Sequence, residues 1–211
     1  MRVLRWIGRS RPDDLARYRP WLPDDPTLDA PPQADWAWRP GLWREPLSPA
    51  ERLAQKPRTV LASGAALHHD AAAGSLRLIQ RAGDGATGAP FALSLEPVGL
   101  QAGFISLALD LPDAACRGMA THQMLVATAR GDLAGIAAWL RINLVRAATT
   151  DSRTVALHPA GDVYRGAIDL YGMPQEVMPP DRIWVDLIID PPPHRIAIAD
   201  LQLARVPRPP F

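Results

Sequence analysis

Six residues combine aromatic rings with hydrogen-bonding groups in a pattern suited to ligand binding. They are Trp139, Arg141 and Asn143 on one face of a predicted strand, Trp184 and Asp186 on the polar face of another, and Tyr164, which together with Tyr171 is a possible neighbour. Aromatic rings offer stacking surfaces, while Asp, Asn and Arg read hydroxyl groups. This combination predicts a site for a glycan or a partner protein. The alternative is that Trp139 and Trp184 are core residues of their sheets.

The run His68-His69-Asp70 is the second candidate. On a strand, His68 and Asp70 share one face and His69 points to the other. A third ligand from His122 or His158 would complete a metal site, and the protein would then be a metal-assisted enzyme. No His-x-His or Glu-x-x-His spacing supports this. Otherwise the run ends a strand, and its side chains face solvent or cap a turn.

Other catalytic patterns are weaker. Cys116 precedes Arg117, whose charge could lower the thiol pKa, although a lone cysteine in a sandwich loop is more often a packing residue. Carboxylates for a carbohydrate hydrolase could come from Asp169, Asp186, Asp190 and Asp200. No Gly-x-Ser-x-Gly elbow occurs, and no Lys-Ser/Thr follows the glycines of residues 83–88. The sequence therefore favours a non-catalytic binding module without a cofactor over an enzyme.

Composition excludes several classes of protein. The net charge is +1, from 23 basic and 22 acidic residues, so no bulk electrostatic field indicates nucleic acid as a partner. A single cysteine excludes an intramolecular disulfide framework. No stretch approaches the ~20 apolar residues of a transmembrane helix, and the apolar run in residues 1–10 is shorter than a signal-peptide core of ~7–15 residues. We therefore expect a cytoplasmic protein.

The elements that must position the candidate residues are short strands. From residue 58 onward, strand candidates alternate with Gly, Pro and Asp at a spacing of about 8–12 residues. Alternating apolar residues in 182–190 and 195–203 predict two closing strands, and a phase slip near Asp200 indicates a β-bulge. Residues 113–117 fit one helical turn. The pattern predicts an all-β fold, with an antiparallel β-sandwich domain over residues 58–211.

Residues 1–57 form a different region, with ten of the 23 prolines and five of the seven tryptophans. Because tryptophan at this density needs a surface to lie on, we expect an extended N-terminal arm that packs on its own domain or on a partner. Docking is expected for residues 36–43, whereas 23–33 should be looser. The capping box Ser48-Pro-Ala-Glu51 predicts one short helix near residues 49–56.

Two resemblances add to this interpretation. The order of residues 103–112, 140–144 and 184–191 resembles an uncharacterised bacterial family of Rhodobacter type, whose members also carry an Arg-Pro-x-x-Trp element like Arg39-Pro-Gly-Leu-Trp43 and a His-Asp step like His69-Asp70. That family offers no activity to transfer. Residues 195–203 are similar to the last strand of jelly-roll carbohydrate-binding modules. This implies a jelly-roll sandwich and, by analogy alone, sugar binding.

Overall fold

Strands dominate the structure, a computed structural model that describes residues 27–190 and 194–209. The strands are β1 (Trp36–Trp38), β2 (Glu51–Ala54), β3 (Arg58–Ala62), β4 (Ala65–His69), β5 (Ser75–Ala82), β6 (Phe91–Val98), β7 (Ile105–Asp110), β8 (Gln123–Asp132), β9 (Ala138–Arg146), β10 (Thr149–Ala156), β11 (His158–Ala160), β12 (Val163–Asp169), β13 (Arg182–Ile189) and β14 (Ile196–Pro207). The helices are α1 (Gly41–Arg44), α2 (Asp113–Cys116) and a 3-10 turn (Gln175–Val177). Within the described ranges, no helix has the length and apolar character needed to cross a membrane.

The strands form two antiparallel sheets. The eight-stranded sheet has the order β11-β12-β8-β14-β6-β5-β2, with β1 also paired to β14, and the six-stranded sheet has the order β10-β9-β13-β7-β4-β3. Within them, β6-β14-β8-β12 lie in one layer and β7-β13-β9-β10 in the other. A chain that alternates between layers in this way has the strand order of a jelly roll. The predicted all-β, jelly-roll-like sandwich is therefore confirmed.

Alternation along the strands builds the core and leaves one polar outer face. The buried residues Leu140, Ile142 and Leu144 of β9 pair in register with Leu187, Val185 and Ile183 of β13. Side chains in a strand alternate between its two faces. Arg141 and Asn143, which lie between the buried residues of β9, are therefore directed away from the core.

The predicted bulge is present in β14. Its register shifts between Ile198 and Asp200. Ile196 and Ile198 are fully buried before the shift, and Leu201 and Leu203 after it. The extra residue keeps both apolar pairs in the core and turns Asp200 to the outer side of the eight-stranded sheet.

The segment of residues 39–43 is hydrogen-bonded to this bulge. Arg39 donates from Nε and Nη2 to the Asp200 carboxylate, at 2.8 and 3.1 Å. Trp43, carried by α1, donates from Nε1 to the carbonyl oxygen of Ile198 at 3.0 Å. Both side chains are buried. The predicted docking of residues 36–43 thus occurs on the chain's own sandwich, and it gives the Arg-Pro-x-x-Trp element a structural role.

The prediction of a helix near residues 49–56 is wrong. Residues Glu51–Ala54 form strand β2, which pairs antiparallel with β5. Glu51 does not close a capping box, because its carboxylate accepts two hydrogen bonds from Arg77, at 2.7 and 2.9 Å. An isolated two-turn helix is marginal in water, whereas the edge of a sheet satisfies the backbone of this segment directly.

Part of the predicted N-terminal arm therefore belongs to the sandwich. Strands β1 and β2 both precede residue 58 and belong to the eight-stranded sheet. Residues 1–26 of the arm, which include Trp6 and Trp21, lie outside the described residues. The helical turn expected at residues 113–117 is confirmed as α2.

Candidate functional site

Five of the six predicted ligand-binding residues share the outer face of the six-stranded sheet. In the pairing of β13 with β9, Trp184 lies opposite Asn143, Asp186 opposite Arg141, and Ile188 opposite Trp139. Directly paired residues of antiparallel strands project to the same side. The sequence predicted only which residues share a face within each strand. The register between β9 and β13 shows that the two sets lie side by side.

A hydrogen-bonded network lies at the centre of this face. The Asp186 carboxylate, only 4% exposed, accepts from Arg141 Nε at 3.0 Å and from Asn143 Nδ2 at 2.8 Å. The Arg141 side chain remains 43% exposed. A buried charge is stable only when it is paired and hydrogen-bonded, so the network keeps Asp186 neutralised. In return, Asp186 fixes the orientation of a solvent-facing guanidinium.

Two tryptophans flank the network, and neither is a buried core residue. Trp139 is 40% exposed, and Trp184 is half-buried. The guanidinium carbon of Arg182 lies 5.4 Å from the centre of the Trp184 ring, and Arg182 Nη2 donates to Asp110 at 2.6 Å. Trp184 therefore lies beside a charged pair on the protein surface, an environment that fits ligand contact better than core packing.

A cleft of about 340 Å³ opens on the same face next to Trp184. Residues of four strands, β3, β4, β7 and β13, and of the β3–β4 turn line it. Those with functional side chains are Arg58, Ser63, His68, Asp110, Arg182 and Trp184. The cleft joins the predicted aromatic and polar row to one member of the predicted histidine group, and it adds charged residues that the sequence did not indicate.

The run of residues 68–70 does not form a common site. His68 lines the cleft, whereas His69 is buried on the other side of β4. Asp70 follows the end of the strand, and its Oδ1 accepts from the backbone N–H groups of Gly103 (2.8 Å) and Phe104 (3.1 Å). Alternation therefore stops before Asp70, which caps a loop. In residues 27–190 and 194–209, no group of three His, Cys, Asp or Glu side chains is placed to hold a metal ion.

Tyr164 does not join the outer face, contrary to its predicted place beside the row. It belongs to β12 of the eight-stranded sheet. It lines a second cavity of about 610 Å³ at the β8–β9 loop, where Trp139, Ile136 and His158 also contribute. Tyr164 is therefore near Trp139 but separate from Arg141 and the rest of the network.

Three of the remaining catalytic candidates, Cys116, Asp186 and Asp200, are not arranged for chemistry. Burial raises the pKa of the Cys116 thiol, and the negative charge of Asp113 raises it further, against a smaller opposite effect of Arg117. Cys116 is therefore a thiol at neutral pH and not an activated nucleophile. Asp186 and Asp200 lie on different sheets, each ion-paired with an arginine. These two carboxylates cannot flank one glycosidic bond.

Comparison with known proteins places the chain in a family. The profile of a family of unknown function (DUF6478) matches residues 17–211. The chain belongs to this family. No curated protein matches the sequence. The predicted membership of an uncharacterised family is thus confirmed, and what this DUF6478 protein does must be argued from its site.

Solved structures resemble the DUF6478 chain only remotely. The enzymatically active domain of tailspike protein 4 from bacteriophage CBA120 aligns with a TM-score of 0.43 and 12% identity over 66% of this chain, which spans 19% of that protein. Carbohydrate-binding modules of the β-sandwich superfamily give 0.32 and 11%, over 72% and 56% of the two chains. TmCBM61 in complex with β-1,4-galactotriose gives 0.27 and 10%, over 72% and 86%. The fold assignment therefore rests on the strand order described above.

We predict that His68 is neutral at pH 7. Burial lowers the pKa of His68 below its usual value, the positive charge of Arg58 lowers it further, and Asp186 acts in the opposite direction. The folded protein thus binds this proton more weakly than the unfolded chain. The resulting contribution to stability is present above pH about 6.5 and is lost as the pH falls through 6.5 towards the lower folded pKa.

An NMR titration of the imidazole resonances measures this directly. We expect the His68 midpoint to lie below pH 6.5 and to rise in Arg58→Ala. His68→Gln should flatten the fall in melting temperature between about pH 6.5 and 5, a range above that in which ordinary carboxylates titrate. A His68 midpoint at or above 6.5 would contradict the prediction.

Proposed function

We propose that this protein is a non-catalytic binding module whose ligand is a glycan lying along the outer face of the six-stranded sheet. The observation that carries the proposal is the arrangement of Trp139 and Trp184 around the Arg141–Asp186–Asn143 network, on an exposed face beside a cleft. Most outward-facing residues of a sandwich are independent polar side chains. Here two aromatic rings and a fixed hydrogen-bonding group share one surface.

Each part of this face suits a sugar. The tryptophan rings offer apolar surfaces to the C–H faces of sugar rings, while the guanidinium offers hydrogen-bond donors to hydroxyl oxygens. Arg141 uses its Nε and one Nη on Asp186, and its other N–H groups have no partner among the described residues. Because Asp186 holds the guanidinium in place, a ligand meets donors that are already ordered, which lowers the entropic cost of binding.

The spacing of the tryptophans favours an oligosaccharide. Asn143, the partner of Trp184 across the strands, lies four residues from Trp139 on β9. At roughly 3.4 Å per residue, the two rings are separated by about 14 Å along the strand direction. This distance exceeds one sugar ring, so we expect several rings to span Trp139, the central network and Trp184.

Alanine at either tryptophan should weaken oligosaccharide binding. We expect the affinity to fall by roughly five- to thirtyfold for Trp139→Ala and for Trp184→Ala, because each substitution removes about 1–2 kcal/mol of aromatic contact. A glycan array identifies a binding oligosaccharide, and titration calorimetry with that oligosaccharide then compares the variants.

Tyr171→Ala serves as the matched control. Tyr171 is 66% exposed and stacks on Arg208, in the turn that follows β12 of the other sheet. Its removal should leave the affinity unchanged. The absence of binding to any sugar on a broad glycan array would overturn the proposal and would favour a protein partner for the same face. Binding that persists when both tryptophans are replaced would remove the proposed location.

A further inference from the structure

The cleft beside Trp184 has an uncompensated positive charge. Two guanidinium groups, those of Arg58 and Arg182, line it together with a single carboxylate, Asp110. Arg182 is paired with Asp110 at 2.6 Å. Arg58 is exposed at the start of β3 and forms no ion pair with any described residue. The charges of the cleft therefore sum to about one positive unit, located at Arg58.

Arg58 belongs to the proposed binding face and not to a separate surface. Along successive strand pairs, Arg58 lies opposite His68, His68 opposite Ser106, Ser106 opposite Ile188, and Ile188 opposite Trp139. These five residues form one row across the sheet. Trp184 lines the same cleft as Arg58 but lies four residues along β13 from Ile188 of this row, about 14 Å at roughly 3.4 Å per residue. A ligand of more than one sugar ring can therefore contact both Trp184 and Arg58 without leaving the face.

Three neighbouring groups on this face add no net charge to that of Arg58. Arg141 and Asp186 neutralise each other at 3.0 Å. His68, the cross-strand neighbour of Arg58, titrates below its usual range because of burial and of Arg58 itself, so it adds no charge at neutral pH. A planar guanidinium without a protein partner is well matched to a carboxylate, which it can bind through two parallel hydrogen bonds.

We infer, on the basis of the proposed function, that the bound glycan is acidic and that Arg58 binds a carboxylate on one of its sugar rings. In this arrangement, the ring bearing the carboxylate lies at the Arg58 end of the cleft, and a further ring reaches Trp184. The neighbouring rings extend over the Arg141–Asp186–Asn143 network. Arg58 then determines specificity for charge, while the tryptophans supply affinity for sugar rings of either kind.

A comparison of uronic acid oligosaccharides with their methyl esters tests this inference. Esterification removes the negative charge and keeps the sugar ring. On an array that carries both forms, followed by calorimetry, we expect the free acids to bind about threefold to tenfold more tightly than the esters. The preference should shrink as salt is raised, because an exposed ion pair is screened.

Two variants locate the effect. Arg58→Ala should abolish the preference for the acid, so that the acid and the ester bind with equal affinity. Arg77→Ala is the matched control, since Arg77 is an arginine of the eight-stranded sheet whose side chain is 41% exposed, and it should preserve the preference.

Each alternative outcome has a separate meaning. Equal binding of acid and ester overturns the inference and leaves the proposed function standing. Failure of every glycan, acidic or neutral, overturns the proposed function. A preference for the acid that survives Arg58→Ala overturns the assignment of the carboxylate to Arg58.

Discussion

Replacing Asp200 by alanine should lower the free energy of unfolding by about 3–5 kcal/mol, because the substitution removes one partner of a buried ion pair with Arg39. Arg39 is only 1% exposed and makes two hydrogen bonds to the Asp200 carboxylate. It also donates from Nη1 to Thr27 Oγ1 at 2.7 Å. Both contacts of the Asp200 carboxylate to this buried guanidinium are lost in the alanine variant.

Thermal and urea denaturation measure the loss. For a chain of this size, 1 kcal/mol corresponds to about 2–4 °C in melting temperature, so a decrease of roughly 6–20 °C is expected. Arg77→Ala is the control, because the Arg77–Glu51 pair has a similar Nε–carboxylate contact, 2.7 Å against 2.8 Å for Arg39–Asp200, but is exposed to solvent. Solvent screening makes such pairs weak. Similar losses in Asp200→Ala and Arg77→Ala would show that burial does not set the strength of the Arg39–Asp200 pair.

Removing both charges of the Arg39–Asp200 pair should reduce stability less than removing the Asp200 charge alone. In Arg39→Met with Asp200→Leu, neither charge of the Arg39–Asp200 pair is left in the buried site, so part of the stability lost in Asp200→Ala should return. The hydrogen bond that Gln202 donates to the Asp200 carboxylate is also lost, and we therefore expect partial recovery only. A double variant less stable than Asp200→Ala would contradict this account.

The sequence predicted those features that depend on alternation within one strand. The apolar positions of β9 and β13 identified which residues face the core and which face outward. The phase slip of the final strand identified its bulge, since a single extra residue reverses the side-chain alternation. Residues Trp139, Arg141 and Asn143 were grouped correctly for the same reason: they share one face of one strand.

Features that depend on pairing between distant strands were not predictable in this way. Arg58 and Arg182 reach one cleft only because β4, β7 and β13 lie side by side in the stated register. Arg182 did carry a weak signal, since it lies two residues before Trp184 and thus on the same face. Tyr164 was misplaced because the chain changes sheets between β10 and β12, a property of the jelly-roll order and not of local sequence.

Competition between local and long-range interactions explains the other errors. The capping box at residues 48–51 is a valid local helix signal, but pairing with β5 gives the same segment more hydrogen bonds. The strand predicted at the histidine run included Asp70, one residue beyond its actual end at His69. Asp70 serves the loop at Gly103, and that contact joins parts of the chain 33 residues apart.

Trp43 also contacts the bulge of β14, and its removal should likewise be severely destabilising. The indole ring is fully buried, and its N–H group donates to the Ile198 carbonyl oxygen at 3.0 Å. Trp43→Ala should cost about 3–5 kcal/mol, because it leaves a large cavity in the core. Trp43→Phe should cost about 1–3 kcal/mol, since the aromatic core contact is largely kept and a buried carbonyl oxygen loses its donor.

Denaturation of these variants beside Trp139→Phe separates burial from residue type. Trp139 is a surface tryptophan, so the same substitution there should change the free energy of unfolding by no more than about 0.5 kcal/mol. The double variant Trp43→Phe with Asp200→Ala then measures whether the two contacts act together. Both hold β14 at its bulge, on either side of Ala199, and contacts that share one backbone irregularity are expected to couple by about 0.5–3 kcal/mol. Additive losses would mean that Trp43 and Arg39 stabilise the central strand independently, and that the segment of residues 39–43 does not act on the bulge as a single unit.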